Sequence, residues 1–331
     1  MELISNSEIK TEEWKAFILN SKFSSPFQTP EFYNLYNSIP GQSAEVFAIR
    51  EKETLLALCV ITVQKETGLK GYFSRRGIIY GGPLIANEDA LNKLLTGIKK
   101  ELKRKVIYIE TRNFFSYKDY RNKFEDQGWN YIPYLNSEIY LTQKTREDIM
   151  SAMNYNRRRQ INQSLEAGAI YRAATSENEV IELYDILADL YKTRVKLPLP
   201  SITYFIKLFN SEIGKVFIVE HDKKIIGGSF CYYLKDRSIY TLYYCSLREY
   251  NKKIFPTHLA IMATIDFGMN EKLVALDLMG AGKPDKEYGV RKYKLEFGGA
   301  LVEYGRFLLI NNVPLYKLGM FALNLKKIIT R

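Results

Sequence analysis

The chain has 331 residues, 46% of them hydrophobic and 26% charged, a composition that folds and excludes a disordered protein. With 48 Lys and Arg against 37 Asp and Glu the net charge is +11, which favours anionic partners (nucleic acid, anionic lipid or phosphorylated substrate) without choosing among them. Cys59, Cys231 and Cys245 lie in apolar runs without a CxxC, and two histidines, His221 and His258, exclude a His-rich metal centre.

The first residues, MELISNSEIK, contain acids and no apolar leader segment. No run reaches the ~18 apolar residues of a membrane span, so a cytoplasmic protein with reduced thiols is expected. Strands are predicted at Ala44–Arg50 and Leu55–Lys65, joined by the charged turn Glu51-Lys52-Glu53. A third strand region spans Tyr72–Ile85 and contains the break Gly81-Gly82-Pro83. A helix at Glu88–Arg104, a strand at Lys105–Thr111, a helix near Tyr117–Gln127 and a strand near Ser137–Leu141 complete a first half.

The second half opens at Thr145-Arg-Glu-Asp148, a capping-box pattern, with a helix running to Gly168. Ser176-Glu-Asn-Glu179 caps another helix. Strands at Val216–Glu220, Ile225–Leu234 and Ser238–Leu247, a helix near Pro256–Met269 and a strand at Val274–Met279 follow. Each half thus repeats antiparallel strands, a helix and a further strand, which predicts an α+β tandem duplication with domains at 1–144 and 145–313.

The segment Gly289–Gly299, GVRKYKLEFGG, alternates Lys292, Lys294 and Glu296 with Tyr293, Leu295 and Phe297. Extended, it would set cations along one face at the rim of a cleft, suited to an anionic substrate. On the helix at 176–196, Val180, Leu183, Tyr184, Leu187 and Tyr191 form one stripe that Arg194 continues. A guanidinium turned inward needs an anion, either a substrate phosphate or a structural carboxylate. Arg157-Arg158-Arg159 splays over about 200° of its helix, which reads as a solvated basic face. Asp277, between Leu276 and Leu278, is either a base with a shifted pKa or an acceptor for backbone donors near the Gly280–Gly282 break. His258, at a helix start, is read as a capping or packing residue.

Arg248-Glu-Tyr-Asn-Lys-Lys-Ile-Phe-Pro256 leads into a helix where GNAT acetyltransferases carry a Gly-rich turn for the coenzyme A pyrophosphate. Lysines stand here in place of glycines, which counts against coenzyme A. From Pro314 the tail sets Leu318, Phe321, Ala322, Leu325, Ile328 and Ile329 on one helical face, with Lys317, Lys327 and Arg331 on the other. That pattern suits either an interfacial helix at an anionic inner membrane surface or a helix docked on the protein itself.

Several of these segments resemble the Fem family of peptidoglycan bridge-forming aminoacyltransferases, which pairs two GNAT-like domains. Phe27-Gln-Thr-Pro-Glu-Phe32 is similar to its opening FQSPEW-like run, and Arg76-Gly-Ile-Ile-Tyr-Gly-Gly-Pro83 to its RGP-containing strand. Met153-Asn-Tyr-Asn-Arg-Arg-Arg-Gln-Ile161 is similar to its MxxxxRxxI helix. Leu276-Asp-Leu-Met-Gly280 with Tyr293-Lys-Leu-Glu-Phe-Gly-Gly299 resembles its DLGG…FKxxFGG signature, the most specific of the four. The resemblance implies two domains, each a mixed, mostly antiparallel sheet flanked by helices, with the tail helix packed back on domain 1. It implies transfer of an amino acid from aminoacyl-tRNA to an amine of a peptidoglycan precursor, with no bound cofactor. Tyr293 and Lys294 then fall at the acyl-transfer site, Lys294 offsetting oxyanion charge worth ~3–4 kcal/mol, and Asp277 is a candidate proton acceptor. Arg194 falls on a diphosphate-binding arginine; Tyr36, Tyr243 and Lys292 complete the candidate substrate-binding set. Tyr36 stands where the opening motif carries a phosphate-binding lysine, and Val195-Lys-Leu-Pro198 replaces an aspartate-glycine run. A coenzyme A-dependent N-acyltransferase acting on a cell-wall or exopolysaccharide sugar is the alternative, and a non-catalytic anion- or membrane-binding protein the third reading.

Overall fold

In the computed structural model, which describes residues 1–66, 68 and 70–329, the chain divides into two units, 1–134 with 303–331 and 135–302. Unit 1 begins with β1 (Glu2–Ser5), α1 (Thr11–Asn20), α2 (Pro30–Asn37), β2 (Ser43–Glu51) and β3 (Thr54–Gln64). It continues through α3 (Lys70–Ser74), β4 (Arg76–Gly81), β5 (Leu84–Ile85), α4 (Glu88–Leu102), β6 (Tyr108–Asn113), α5 (Arg121–Asp126) and β7 (Asn130–Ile132). Unit 2 holds β8 (Leu135–Tyr140), α6 (Arg146–Ala152), α7 (Tyr155–Glu166), β9 (Ile170–Ala173), α8 (Glu177–Leu190) and α9 (Ile202–Phe209). β10 (Gly214–His221), β11 (Lys224–Tyr233), β12 (Ser238–Ser246), α10 (Pro256–Asn270), β13 (Ala275–Gly282), α11 (Gly289–Leu295) and β14 (Ala300–Glu303) follow. The chain then returns to unit 1 for β15 (Arg306–Ile310) and α12 (Val313–Ile329).

The two sheets share one plan. Unit 1 runs β1-β2-β3-β4-β6-β15-β7, with β5 on β3, and unit 2 runs β9-β10-β11-β12-β13-β8-β14. In each, the fourth and fifth strands of the path are a parallel pair, β4 with β6 and β12 with β13. A helix connects each parallel pair, α4 in unit 1 and α10 in unit 2, as a βαβ crossover requires. α4 is capped by the Asn87 side chain, which accepts from Ala90 N, and buries Leu91, Leu94, Leu95, Ile98 and Leu102. α10 is buried nearly all round, from Leu259 to Ile265, because it packs on β10, β11 and β12 and against α7.

The duplication is thus present, with boundaries shifted from the expected 144/145 and 313/314. The predicted strand near Ser137–Leu141 follows unit 1 in sequence, yet β8 hydrogen-bonds to β13 in unit 2. β15, coming after all of unit 2, pairs with β6 and β7 of unit 1. Hydrophobic pattern predicts a strand; it does not say whose edge the strand joins.

Other elements differ from their predicted form. The helix expected over 145–167 breaks at Met153-Asn154, where Asn154 takes an N-cap role and accepts from Asn156 N. The expected extended run at 289–299 is instead α11, since seven residues are too few to separate a period of 2 from one of 3.6. α1, α2 and α9 have no counterpart among the predicted elements, and the strand region expected over Tyr72–Ile85 opens instead with helix α3, β4 starting at Arg76. The tail helix belongs to unit 1, where Tyr316 meets Tyr108 at a ring distance of 5.3 Å. The pattern read at residues 330–331 lies outside the described residues, as do the side chains from 323 onward.

Gly82 has φ +82°, and a Cβ there would meet the Tyr117 hydroxyl at 2.5 Å. That hydroxyl donates to Gly81 O at 3.1 Å and Pro83 O at 2.8 Å, so the break and the tyrosine hold one another. Gly41 has a similar φ of +78° with nothing within 4 Å. Gly82→Ala should therefore cost at least ~2 kcal/mol in denaturant unfolding and Gly41→Ala only ~1. Equal costs would show that backbone conformation alone, not Tyr117, holds the position.

Candidate active site

β12 and β13 pair only at Ser238–Ala275, Ile239–Leu276 and Tyr240–Asp277. Beyond these, β12 continues on β11 to Ser246 and β13 continues on β8 to Gly282. Two features part them. β13 slips register between Asp277 and Gly280 and again before Gly282, with Met279 at φ +63°. β12 carries its own slip, opposite Phe230/Cys231, which leaves Leu242 as an extra residue. Beyond these pairs a slot opens between the two strands, which no longer pair with one another. In unit 1 the matching pair stays closed from Arg76–Tyr108 to Gly81–Asn113, and Ser25, Phe114 and Tyr117 fill the space at its end.

Lys294 closes the β13 side of the slot. Its Nζ donates to Leu278 O at 2.5 Å, Gly280 O at 2.9 Å and Met279 O at 3.2 Å. The side chain is 5% exposed, and burial lowers its pKa to about 8 against the pull of Asp277. An ammonium has three protons, and all three lie on these carbonyls. Lys294 therefore acts on the slot by its charge and by holding the strand break.

Asp277 lies beneath, 1% exposed. Its Oδ2 accepts from Asn136 Nδ2 at 3.0 Å and its Oδ1 from Met279 N at 2.5 Å. Burial, with the Glu138 carboxylate next, pushes its pKa up to about 7 against these hydrogen bonds and Lys294. Asp277 and Glu138 are cross-strand partners on β13 and β8, so their carboxyls face one another within the sheet. Asp277 is thus the backbone acceptor expected at the break, with its pKa shifted upward by burial and by Glu138. Glu138 follows Asn136 and Ser137 and so lacks the leucine flanks that mark Asp277 in the sequence; the pairing of β8 with β13 is what brings the two acids together.

Tyrosines line the slot. Tyr293 stacks near Tyr244 at 6.0 Å, and Tyr191 meets Tyr243 edge-on at 5.9 Å. Burial raises the Tyr244 pKa to about 12, with Tyr288 and Tyr191 adding to it. The Tyr293 hydroxyl is buried and has no hydrogen-bond partner among the described residues. Such an orphan costs ~1–3 kcal/mol unless something entering the slot satisfies it.

Behind Tyr293 is a cation that the sequence reading placed in solvent. Arg157 is 6% exposed, pairs with Glu296 and donates to His258 Nε2. Its guanidinium lies 4.7 Å from the Tyr293 ring and 4.9 Å from the Phe297 ring. Burial, then the Arg157 charge, lowers the His258 pKa to about 3, so this imidazole stays neutral. Its ring stacks on Phe255 at 5.3 Å, the packing role expected. Of the three arginines only Arg159 is fully exposed; Arg158 donates to Ser151 O at 2.8 Å.

The remaining candidates are spread out. α8 widens at its end into a π turn over Tyr191–Val195, closed by Lys196 N on Tyr191 O at 2.7 Å. The extra residue per turn rotates Arg194 off the buried Val180–Leu183–Leu187 stripe, so it is exposed and not turned inward. Arg194 forms no ion pair among the described residues. Lys292 is exposed on α11, and Tyr243 is half-buried beside Phe205 at 5.4 Å. Tyr36 is in unit 1, 7% exposed against Phe32, with Thr62 and Gln64 at its hydroxyl.

The start of α10 has its amides engaged. Phe255 N donates to Ser164 Oγ at 2.9 Å, Lys253 N to Asn251 Oδ1 at 2.8 Å and His258 N to Phe255 O at 3.0 Å. Pro256 has no N–H at all.

Residues 151–294 match a family model described as an acetyltransferase (GNAT) domain. No curated protein matches the chain. Among solved structures, FemX superposes with a TM-score of 0.75 at 16% identity, covering 96% of this chain and 99% of that one. The structure of L-PGS from Bacillus licheniformis has a TM-score of 0.58 at 12% identity, with 95% and 96% covered. A tandem GNAT protein from the clavulanic acid biosynthesis pathway has a TM-score of 0.54 at 8% identity, with 94% and 99% covered. The fold is α+β, two GNAT-like units in tandem, similar in fold to FemX.

Asp277 generates a pH prediction. Its folded pKa is raised from 3.8 to about 7, so between those values the native state binds a proton that the unfolded chain does not. Its contribution to stability is therefore fully present below pH 4 and lost as pH rises to 7, a swing of roughly 3–4 kcal/mol. His258 runs oppositely over an overlapping window, since its folded pKa is lowered to about 3. The difference between wild type and Asp277→Asn isolates the carboxyl: the variant should gain relative stability from pH 4 to 7. Parallel denaturation profiles for the two proteins would refute a carboxyl that titrates near neutrality.

Proposed function

We propose that the slot between β12 and β13 is an acyl-transfer site, moving an amino acid from aminoacyl-tRNA to an amine of an anionic peptidoglycan precursor. The observation that carries the choice of donor is the start of α10. Coenzyme A is held through its pyrophosphate by free amides at a helix N-terminus. Here the amides of Lys253, Phe255 and His258 are engaged within the chain and Pro256 has none. A donor held over a wider basic surface, such as a tRNA, suits a chain of net charge +11.

The chemistry needs no outside reagent. A neutral amine attacks the ester carbonyl, a C–N bond forms, and the electron pair moves to the carbonyl oxygen. Collapse of that intermediate breaks the C–O bond to the ribose, whose oxygen takes up the proton that Asp277 relays from the amine. The oxyanion is assigned to the β12 side of the slot, with Lys294 supplying positive charge behind the opposite edge. The Tyr293 hydroxyl, buried and without a partner among the described residues, is assigned to the bound acyl group. Asp277, titrating near neutrality, is the acceptor assigned to the amine's proton, reached through an intervening group because it is buried. Exposed Arg194, with Lys292, is assigned to the anionic part of the acceptor. Tyr243 lines the same mouth. No role follows for buried Tyr36.

A second reading, a coenzyme A-dependent N-acyltransferase on a cell-wall or exopolysaccharide sugar, is favoured by the same open edge. An unpaired strand edge can hydrogen-bond the amides of a pantetheine arm.

Thermal stabilisation by charged tRNA but not by acetyl-coenzyme A, together with aminoacyl transfer, is expected. The reverse pattern would select the second reading, and no binding or transfer with either would leave an anion-binding protein. Tyr293→Phe removes only the orphan hydroxyl, so its turnover should fall about tenfold while its melting temperature holds or rises. Unchanged turnover would remove Tyr293 from the site.

A further inference from the structure

α12 starts against unit 1 and then turns an apolar side outward. Tyr316 packs on Tyr108, and the Cβ position of Gly319 lies 3.9 Å from Phe73 O of α3. At about 100° per residue, Leu318 and Phe321 point away from the Tyr316 contact, on the far side of the helix. They are 53% and 61% exposed, and Met320 is 42% exposed. Alongside on α3, Tyr72 and Phe73 are 57% and 50% exposed, their rings edge to face at 5.2 Å. Single exposed apolar residues are ordinary, but Leu318 and Phe321 beside Tyr72 and Phe73 put four large ones on two touching helices, which a protein surface rarely carries.

The charges around the patch decide what covers it. Lys317 is exposed on α12, Arg76 is exposed beside α3, and the Arg75 guanidinium lies 4.5 Å over the Tyr72 ring. Against these cations stands one neighbouring acid of α3, Glu66, whose N–H donates to Ser74 Oγ at 2.8 Å. A second copy of this chain would bring cations against cations. An apolar ridge bordered by cations instead matches a body with an apolar interior and an anionic surface. Tyrosine and phenylalanine at the border of such a patch sit well at headgroup depth.

We propose that α3 and α12 form a docking surface for an anionic phospholipid bilayer. The docking is independent of which acyl group the slot moves. It places the protein where a membrane-borne acceptor would be found.

The test uses the full chain and vesicles of phosphatidylcholine alone or with about one third phosphatidylglycerol. Wild type should co-sediment with the anionic vesicles only, and less so as salt is raised. Leu318→Asp with Phe321→Asp should weaken that binding at least tenfold, with circular dichroism and melting temperature unchanged. Phe73→Asp, on the other helix, should do the same, which guards against a simple melting of α12. The proposal is overturned by equal binding of wild type and both variants, or by equal binding to neutral vesicles. It is also overturned if sedimentation velocity shows a wild-type dimer that Phe321→Asp dissociates, since a second copy would then cover the patch.

Discussion

Where two parallel strands part inside a sheet, their carbonyls and amides lose partners, and something must take them or the opening closes. In unit 2 that something is the Lys294 ammonium, spread over the carbonyls of residues 278, 279 and 280. A neutral side chain could satisfy two of these at most; a buried cation satisfies all three and brings a fixed positive charge with them. The cost of burying that charge appears in its lowered pKa, and Asp277 beneath offsets part of it. The slot and its polarity follow from this one contact, while burial and Glu138 shift the acid below it.

The division of labour between the units has the same origin. Unit 1 repeats the strand order of unit 2 but keeps its parallel pair closed to the end, with Tyr117 bonded across the Gly81–Pro83 break. A tyrosine there satisfies the turn carbonyls from outside the sheet, so no cation has to enter. Duplicated architecture thus yields one closed parallel pair and one parted pair, with a break after β4 in unit 1 and a break within β13 in unit 2.

Much of this was legible beforehand. The α+β duplication, most strands and the marked break at 280–282 came from period, capping residues and glycines. Lys294, Tyr293 and Asp277 were singled out from sequence and do lie together. What failed has physical causes. The form of 289–295 could not be read because alternation and helical spacing coincide over so few residues. The arginine run was treated as a face when each residue has its own environment: Arg157 is buried between Tyr293 and Phe297, and Arg159 is in solvent. The inward direction of Arg194 assumed an α-helix throughout, and a single π turn rotated it away. Glu138 gives no local signal because only the pairing of β8 with β13 sets it opposite Asp277.

The exchange of strands between sequence halves carries a further consequence, one of timing. β15 completes the sheet of unit 1 between β6 and β7, yet it is encoded after every residue of unit 2. During synthesis, residues 135–302 can finish their own sheet while the earlier-made residues 1–134 still lack an inner strand. This reverses the usual order in which the N-terminal domain matures first. The exposed edges of β6 and β7 would wait for the C-terminal segment to arrive, which makes the first-made half of this chain the last to be sealed.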